Sequence, residues 1–460
     1  MMRSPPHPDP LVRLSFWRKV SLGSGDLAFN LYWQASSLFL LYFYTDVLNL
    51  PAAIAGTIYM AALIWDALID PVVGWAADRT RTRLGRYRPY LLFGAPALAL
   101  AFAAMFFAPA ASSANSVLFV TLTHLLFRTV YAVVNIPYAS LFARVTRDSA
   151  QRADMAGVRI LFAMAAGMIV SSTTLPLADF FGRGDPRSGW QILALIYGGF
   201  VVVILWQVVY AARGLDAPEQ VSAAPIGMKA TWRSLRLNTP LHLALGVVVL
   251  SSIATTFFHK NVIYYFKYIY GDTDAATFAL TLSAGVTAAS VPFWTWIART
   301  YGKQLAWASG MVLFAIGLIG WWLAHGQGLA ALLAAICVIA TGMSANYICF
   351  WAVLPDTVEY GEWRSGIRTE SLVFGLVVLG QKAALGAAAG ALGFALGAIG
   401  YQPNAMMGAT TEDGLRLMML AIPLSGALLS LALISRYRLS LAAHRDIVLE
   451  IEGRAKPKDV

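Results

Sequence analysis

Twelve apolar stretches, each long enough to cross a membrane, dominate this sequence of 460 residues. A membrane helix needs about 20 mostly apolar residues, whereas the strands of a transmembrane barrel are shorter and alternate. Only 13% of the residues are charged, about half the share of a soluble domain, so soluble, disordered and disulfide-scaffold proteins are excluded. We predict an all-α integral membrane protein. Its spans lie near 21–45, 52–77, 90–109, 116–143, 156–176, 190–212, 241–268, 275–298, 305–324, 329–354, 370–399 and 415–436.

The longest polar stretch divides six spans from six. It predicts an N-terminal six-helix half over 1–212, a cytoplasmic linker over 213–240, a C-terminal six-helix half over 241–438 and a cytoplasmic tail over 439–460. With both termini in the cytoplasm, 26 of the 34 basic residues fall in cytoplasmic tails and loops and five at the outside. This bias follows the positive-inside rule. It also accounts for the net charge of +10 without a nucleic-acid partner.

Two carboxylates lie four residues apart in the second predicted span, in the segment WDALIDP. Asp66 and Asp70 share one helix face and would repel each other in a low dielectric. A bound cation or a proton on one carboxylate relieves that repulsion. Pro71 has no N–H, so the carbonyl of Ala67 loses its helical partner and can turn toward the same face. The alternative is a structural pair that a basic residue such as Lys382 neutralises.

Other charged residues lie inside predicted spans, where burying a charge in the bilayer is energetically unfavourable. Asp26 fits either a binding site or a cap near the inner end of span 1. Arg159, a few residues into span 5, fits either ligand contact or snorkelling to the interface. Arg128 is equally compatible with a structural and a functional role, and Lys382 lies mid-span with no acid near it in its own helix.

Some residues near the ends or faces of spans are candidate substrate contacts. Lys260, beside His259, lies toward the outer end of span 7, where snorkelling is the simpler alternative to a cavity position. Tyr32, Tyr131 and Tyr347 are aromatic side chains that can stack on a sugar ring, although most aromatic residues in such a chain are interface anchors.

The loop DRTRTRLGRYRP, residues 78–89, carries five arginines. It is a topology determinant or, in addition, an inner gate that pairs across the two halves. The expected gate comprises Arg79, Arg81, Arg86, Asp356, Glu359 and Glu362.

Motifs of soluble enzymes are absent from the sequence. It contains no Walker loop, no dinucleotide-binding glycine fingerprint and no HExxH. We therefore expect no enzyme activity, no catalytic residues, no organic cofactor and no ATP-driven transport. Hydropathy alone leaves channels and membrane enzymes open.

Several motifs resemble the glycoside–pentoside–hexuronide:cation symporters, the branch of the major facilitator superfamily that contains melibiose permease. They extend from about Lys19 to Arg438, and the blocks around helix 2 and YGEW…R…ES are the most specific. The matching segments are GDLAFN, YTDVLNLP, WDALIDPVVGWAADRTRTRLGRYRPYLLFG, NIPYASL, IYYFKYIYGD and LPDTVEYGEWRSGIRTES.

The resemblance implies a twelve-helix fold with alternating access that moves a sugar with a cation. By position, Asp66 and Asp70 match the cation-site carboxylates and Lys382 the helix-11 lysine near both sites. Asp26 matches the sugar-binding acid of helix 1 and Arg159 a binding arginine of helix 5. Substrate contacts by the same resemblance include Asn135, which stands where melibiose permease has a second acid.

This sequence departs from the family pattern at four positions. Gly25 replaces a lysine beside the helix-1 acid, and Ala139 replaces a tryptophan of the sugar site. Ile69 and Ala132 replace an asparagine and a threonine near the cation site, which removes neutral oxygens that Na⁺ would need. The resemblance therefore favours H⁺ over Na⁺ as coupling ion and predicts no metal beyond Na⁺ at Asp66 and Asp70.

The leading expectation is a secondary symporter for a glycoside, sugar or sugar acid in a bacterial inner membrane. Its partners are a small-molecule substrate and membrane lipid, and we expect a monomer. The alternative on the same scaffold is a cation-coupled carrier of a lysolipid or other amphiphile, because a related animal branch carries lysophospholipids.

Overall fold

The computed structural model describes residues 14–107, 114–145, 149–215 and 233–455, and its regular elements are helices. The chain divides into two compact units. The described part of unit 1 comprises residues of 14–215 together with Tyr401–Ala405. Its helices are α1 (Phe16–Gly23), α2 (Gly25–Tyr42), α3 (Ala52–Arg79), α4 (Arg88–Phe106), α5 (Ala114–Arg144), α6 (Ser149–Gly182) and α7 (Pro186–Ala211).

Unit 2 comprises the described residues of 233–400 and 406–455. Helix α14 lies in the segment predicted as a cytoplasmic tail. The helices are α8 (Thr239–Tyr265), α9 (Thr273–Thr300), α10 (Lys303–Ala324), α11 (Leu329–Ser365), α12 (Glu370–Ala398), α13 (Ala409–Ile434) and α14 (Leu441–Ala455).

Eleven helices of the described chain are long and apolar enough to cross a membrane, one fewer than the predicted spans. The difference is span 1, which corresponds to α2 and the π-helical turn Phe43–Val47 that extends it. Together they contain 18 plus 5 residues, about 34 Å of helix, enough to cross the hydrocarbon core. Polar side chains, among them Asp26, Asn30 and Gln34, lower the hydropathy of this segment.

Span 10 is longer than its apolar pattern predicts. Helix α11 continues past Pro355, through a polar stretch, to Ser365. Gly366 follows with φ 72°, a left-handed conformation that glycine adopts without steric cost, and its N–H donates to the Glu362 carbonyl. Hydropathy identifies only the apolar part of the helix, whereas the capping glycine marks its end.

Neighbouring helices in unit 1 bring the candidate residues close together. Helix α2 packs along α6, and α3 packs along α5. The Trp65 indole N–H on α3 donates to the Thr129 hydroxyl on α5 at 2.8 Å. Aromatic packing also joins α4 to α7, where the rings of Phe106 and Trp190 stack with their centroids 5.8 Å apart.

Candidate functional site

Asp26 and Arg159 are 133 residues apart in the chain and form an ion pair inside unit 1. Asp26 lies in the first turn of α2 and Arg159 on α6. The Arg159 Nε is 2.5 Å from Asp26 Oδ2, and Nη2 is 3.2 Å from Oδ1, so the guanidinium binds both carboxylate oxygens. The Asp26 side chain is 15% exposed and that of Arg159 33%, so the pair is partly open.

Tyr138 completes this group and was not among the predicted site residues. Its hydroxyl lies 2.8 Å from Asp26 Oδ2 and 3.0 Å from the Leu22 carbonyl oxygen. The ring reaches α2 because Gly25 has no side chain: a Cβ there would lie 2.5 Å from the Tyr138 ring. The signal was present in NIPYASL, since Tyr138 follows Asn135 by three residues and therefore shares its helix face.

Two aromatic rings hold the Arg159 guanidinium. Its central carbon lies 4.7 Å from the ring centroid of Phe142 and 5.6 Å from that of Tyr138. Such cation–π contacts orient the guanidinium while leaving N–H donors for a ligand. The group combines carboxylate oxygens that accept hydrogen bonds with a fork of donors, and its two charges cancel.

A stripe of side chains continues this group along α2 and α5. The Tyr131 hydroxyl is 3.4 Å from the Phe29 carbonyl oxygen, and the Tyr131 and Trp33 ring centroids are 6.4 Å apart. Asn135 is half-buried between Tyr131 and Tyr138 in the sequence of α5. Aromatic faces beside an amide and a carboxylate are suited to a ring that carries hydroxyl groups.

The two carboxylates of α3 have different environments. Asp66 is completely buried, whereas Asp70 is half-buried and is followed by Pro71 inside the helix. Nearby positions that the family resemblance associates with neutral oxygens carry hydrocarbon: Ala132 is 2% exposed and Ile69 is half-buried.

Tyr131 connects the two groups of charges electrostatically. Its hydroxyl is within electrostatic reach of the carboxylates of α2 and α3 and of one guanidinium on its own helix. These charged residues are Asp66, Arg128, Asp26 and Asp70. The predicted cation carboxylates, Asp66 and Asp70, and the predicted substrate acid, Asp26, are therefore all close enough to Tyr131 to act on the same hydroxyl.

Other predicted contacts lie in different surroundings. Tyr32 is completely buried, with its ring 4.3 Å from that of Phe102, so it belongs to the core and leaves no surface for a substrate. Lys260, predicted as a substrate contact with snorkelling as the alternative, is 3% exposed and therefore buried within unit 2. In unit 2, Tyr347 is 64% exposed on α11, and Lys382 is half-buried on α12.

Two of the predicted gating acids have basic partners within unit 2. The Lys303 ammonium lies 2.7 and 2.8 Å from the two oxygens of Asp356 and also donates to the Ala352 carbonyl. His444 on α14 contacts a Glu359 oxygen and lies 3.6 Å from Asp356. Asp356, Glu359 and His444 have side chains of types that bind divalent metals, but the Lys303 ammonium already neutralises Asp356.

The third gating acid also pairs inside its own half. Arg368 donates to Glu362 at 3.0 Å and to Glu370 at 3.0 Å. The hydrogen bond to Glu362, and then that to Glu370, raise the pKa of Arg368. Each of the three acids thus has a basic partner in unit 2, and the expected pairing across the halves stays a prediction. Within unit 1, Arg79 stacks on Trp75 at 4.1 Å, Arg86 lies over Tyr87 at 5.7 Å, and Arg81 is exposed.

The chain is similar to known transport proteins over nearly its whole length. The family model described as MFS/sugar transport protein matches residues 21–440. The "Uncharacterized symporter YnaJ" of Bacillus subtilis is 29% identical over 96% of both chains. The "Isoprimeverose transporter" of Lactiplantibacillus pentosus is 29% identical over 89% of this chain and 85% of the relative. The "Glucuronide carrier protein homolog" of Escherichia coli is 28% identical over 96% of both.

Solved structures share the fold at much lower identity. A bacterial homologue of the lysosomal transporter Spinster has a TM-score of 0.69 and 14% identity, with 95% of this chain and 99% of that chain covered. The xylose transporter XylE of Escherichia coli has a TM-score of 0.63 and 13% identity over 93% and 98%. The protein is thus a multi-pass membrane transporter of twelve-helix type and not an enzyme. The chain belongs to the MFS/sugar transport protein family, the glycoside–pentoside–hexuronide:cation symporters of the major facilitator superfamily.

Proposed function

We propose that this transporter moves a glycoside across a bacterial inner membrane together with a proton, with both termini in the cytoplasm. The observation that carries the proposal is the partly open group formed by Asp26, Arg159 and Tyr138. In this proposal Asp26 accepts hydrogen bonds from sugar hydroxyls and Arg159 donates to sugar oxygens. Tyr131 and Asn135 contact the same ring.

The charge of this group favours a neutral sugar. Because Arg159 already neutralises Asp26, a neutral glycoside adds no uncompensated charge when it binds. A sugar acid is the second candidate, supported by the likeness to the Glucuronide carrier protein homolog. It would need a further positive charge, since Arg159 is shared with Asp26.

The coupling ion is proposed to bind at Asp66 and Asp70. Na⁺ is a hard cation that prefers several oxygen ligands, as other hard cations do. Ala132 and Ile69 offer hydrocarbon at positions where relatives would supply oxygen. A proton needs only one carboxylate oxygen and no cage of further ligands, which suits a pair whose neighbours at 69 and 132 are hydrocarbon. Na⁺ is the alternative, with the Ala67 carbonyl as one ligand.

Uptake into proteoliposomes tests both the proposed substrate and the proposed coupling ion. The purified protein is screened by thermal shift against neutral sugars, sugar acids and lysophosphatidylcholine. The compounds that bind are then supplied under an imposed pH gradient at constant Na⁺, or an imposed Na⁺ gradient at constant pH. We expect accumulation of a neutral glycoside driven by the pH gradient.

Different failures have different meanings. Accumulation driven by Na⁺ alone would contradict H⁺ as the coupling ion but not Asp66 and Asp70 as the cation site. Equal competition by a β-glucuronide and the matched β-glucoside would remove any preference for the neutral sugar. Binding of the lysolipid with no response to any sugar would overturn the sugar assignment and support the amphiphile carrier.

A further inference from the structure

The motif YTDVLNLP at the end of span 1 has no role in the proposed binding of substrate or cation. It forms most of the π-helical turn Phe43–Val47 and the chain that leads to α3. The Leu48 N–H closes this turn by donating to the Phe43 carbonyl at 3.0 Å. Asp46, within the turn, is 6% exposed. Because π-helical turns are rare and frequently lie at functional sites, we asked what this carboxylate contacts.

Asp46 holds a segment from far along the chain. The Tyr401 hydroxyl donates to Asp46 Oδ2 at 2.6 Å, a distance typical of a hydrogen bond to a carboxylate. The Thr45 hydroxyl donates to the same oxygen at 2.7 Å and helps to orient it. Beside this group, the Asn404 amide donates to the Asp46 backbone carbonyl at 2.8 Å and to Asn49 Oδ1 at 3.2 Å.

The position of this segment in the chain makes these contacts informative. Tyr401–Ala405 lies between α12 and α13 and packs with unit 1, whereas Gly400 before it and Met406 after it belong to unit 2. Gly400 has φ 76°, a left-handed conformation that favours glycine, at the point where the chain leaves unit 2. Under the predicted topology, the end of span 1 and the loop between spans 11 and 12 both lie at the outer face.

The chemistry of these contacts is suited to release. They are hydrogen bonds of hydroxyl, amide and carboxylate groups, which water can replace when the segment leaves. Because such an exchange trades one hydrogen bond for another, each bond contributes only modestly to the net free energy. Asn49 and Asn404 are exposed, so water already reaches one edge of the group. The segment is therefore held by several bonds that can be exchanged with water.

We propose that Asp46 and the segment Tyr401–Ala405 form a releasable latch of the transport cycle. While it is fastened, the binding group of Asp26, Arg159 and Tyr138 is closed to the outside, and release of the segment opens it. Alternating access, which the family resemblance implies, requires contacts that form in one state and break in another. The inference rests on alternating access and on the predicted topology, and it is independent of the identity of the substrate and of the coupling ion.

The test uses a chain in which the two native cysteines are replaced and Asn135→Cys places a reporter in the candidate site. An impermeant maleimide added to intact cells reaches the reporter only when the outer side is open, and mass spectrometry of its peptide measures the alkylation rate. Asn49→Cys and Asn404→Cys, whose native side chains are 3.2 Å apart, are first joined by oxidation. Alkylation from outside should then be lost and should return on reduction, whereas alkylation in inside-out vesicles should persist.

Loosening the latch should have the opposite effect. Tyr401→Phe removes the hydroxyl that donates to Asp46 and keeps the ring. We expect outside alkylation of the reporter to rise about tenfold, the factor that corresponds to one lost hydrogen bond to a charged group. Tyr197→Phe is the matched control, because it removes a hydroxyl that contacts Thr174 elsewhere in unit 1 and should leave the rate unchanged.

Each arm can contradict the latch. Unchanged outside alkylation in the cross-linked protein, or in a folded Tyr401→Phe variant, would make the segment a permanent part of unit 1. Loss of alkylation in inside-out vesicles instead would contradict its position at the outer face. The cross-link remains a test where Tyr401→Phe does not fold, since it keeps both Tyr401 and Asp46. Neither arm uses a substrate, so a failure of the glycoside or proton assignment is distinguishable from a failure of the latch.

Discussion

The Tyr138 hydroxyl lies 2.8 Å from Asp26 Oδ2, the same oxygen that the Arg159 Nε contacts at 2.5 Å. One carboxylate oxygen thus joins α2, α5 and α6. The second oxygen, Oδ1, has the longer contact with Arg159, at 3.2 Å. Under the proposed function, Oδ1 has more capacity left for a sugar hydroxyl, and Tyr138 keeps the carboxylate oriented while the sugar binds.

Tyr138→Phe removes this orientation while keeping the ring. We expect the half-saturating glycoside concentration to rise about tenfold, because a lost hydrogen bond to a charged group costs about 1.5 kcal/mol. The measurement is initial uptake against glycoside concentration. Tyr197→Phe is the control, since it removes buried hydroxyl contacts with Thr173 and Thr174 away from Asp26. Equal effects of the two variants would assign Tyr138 to stability alone.

Gly25→Ala should disturb the group of Asp26, Arg159 and Tyr138 from α2, where Gly25 faces the Tyr138 ring. The new Cβ would lie 2.5 Å from the Tyr138 ring, which is itself 1% exposed and has little room to move. Overpacking of this kind costs roughly 1–3 kcal/mol, so the melting temperature in detergent should fall. Gly199→Ala is the matched control, because nothing lies within 4 Å of its Cβ position. A melting temperature equal to that of the control would show that α2 and α5 tolerate separation.

Coupling should depend on Asp66 and Asp70. Asp66→Asn or Asp70→Asn removes a site charge at nearly constant volume and is expected to abolish uphill accumulation. Exchange of labelled for unlabelled glycoside should survive, because exchange needs no net ion movement. Asp179→Asn, which changes an exposed carboxylate of α6, should leave both activities intact. Uphill accumulation by both site variants would mean that the pair is structural.

Lys303 should stabilise unit 2 by neutralising Asp356. Lys303→Met leaves that carboxylate without its ammonium, so we expect a loss of roughly 2 kcal/mol, discounted from the cost of breaking a fully buried pair because Lys303 is partly exposed. Adding Asp356→Asn removes the uncompensated charge and should recover most of the loss. Thermal melts of the single and double variants measure both the loss of stability and its recovery. A double variant no more stable than Lys303→Met would contradict the ion-pair account.

The orientation of the chain is predicted from its basic residues. After Cys337 and Cys349 are replaced, single cysteines at Arg79 and Arg187 should react from the cytoplasm and from the outside respectively, because 26 basic residues against five favour that topology. An impermeant thiol reagent applied to intact cells distinguishes the two faces. Labelling of position 79 from outside would reverse the topology.

Local hydropathy patterns in the sequence predict much of the fold. Hydropathy predicted twelve spans, and eleven of them correspond to long apolar helices of the described chain, because burial in lipid requires an apolar run of fixed minimum length. The twelfth, span 1, corresponds to α2 and the π-helical turn that follows it, in which Asp26, Asn30 and Gln34 lower the hydropathy. Hydropathy ends α11 too early, since a helix can continue into a polar stretch where hydropathy has no signal.

The sequence by itself determined the helical class, the family and the residues whose charge the membrane makes costly, because these depend on composition, run length and motif spacing. Only the tertiary structure decided which charges meet. Arg159 pairs with Asp26 across 133 residues, and Asp356 pairs with Lys303 in its own half. Arg128, ambiguous in the sequence, is buried against His124 and Trp33. Ion pairing depends on which helix faces pack together, and that is set by contacts between distant parts of the chain, which spacing along one helix does not encode.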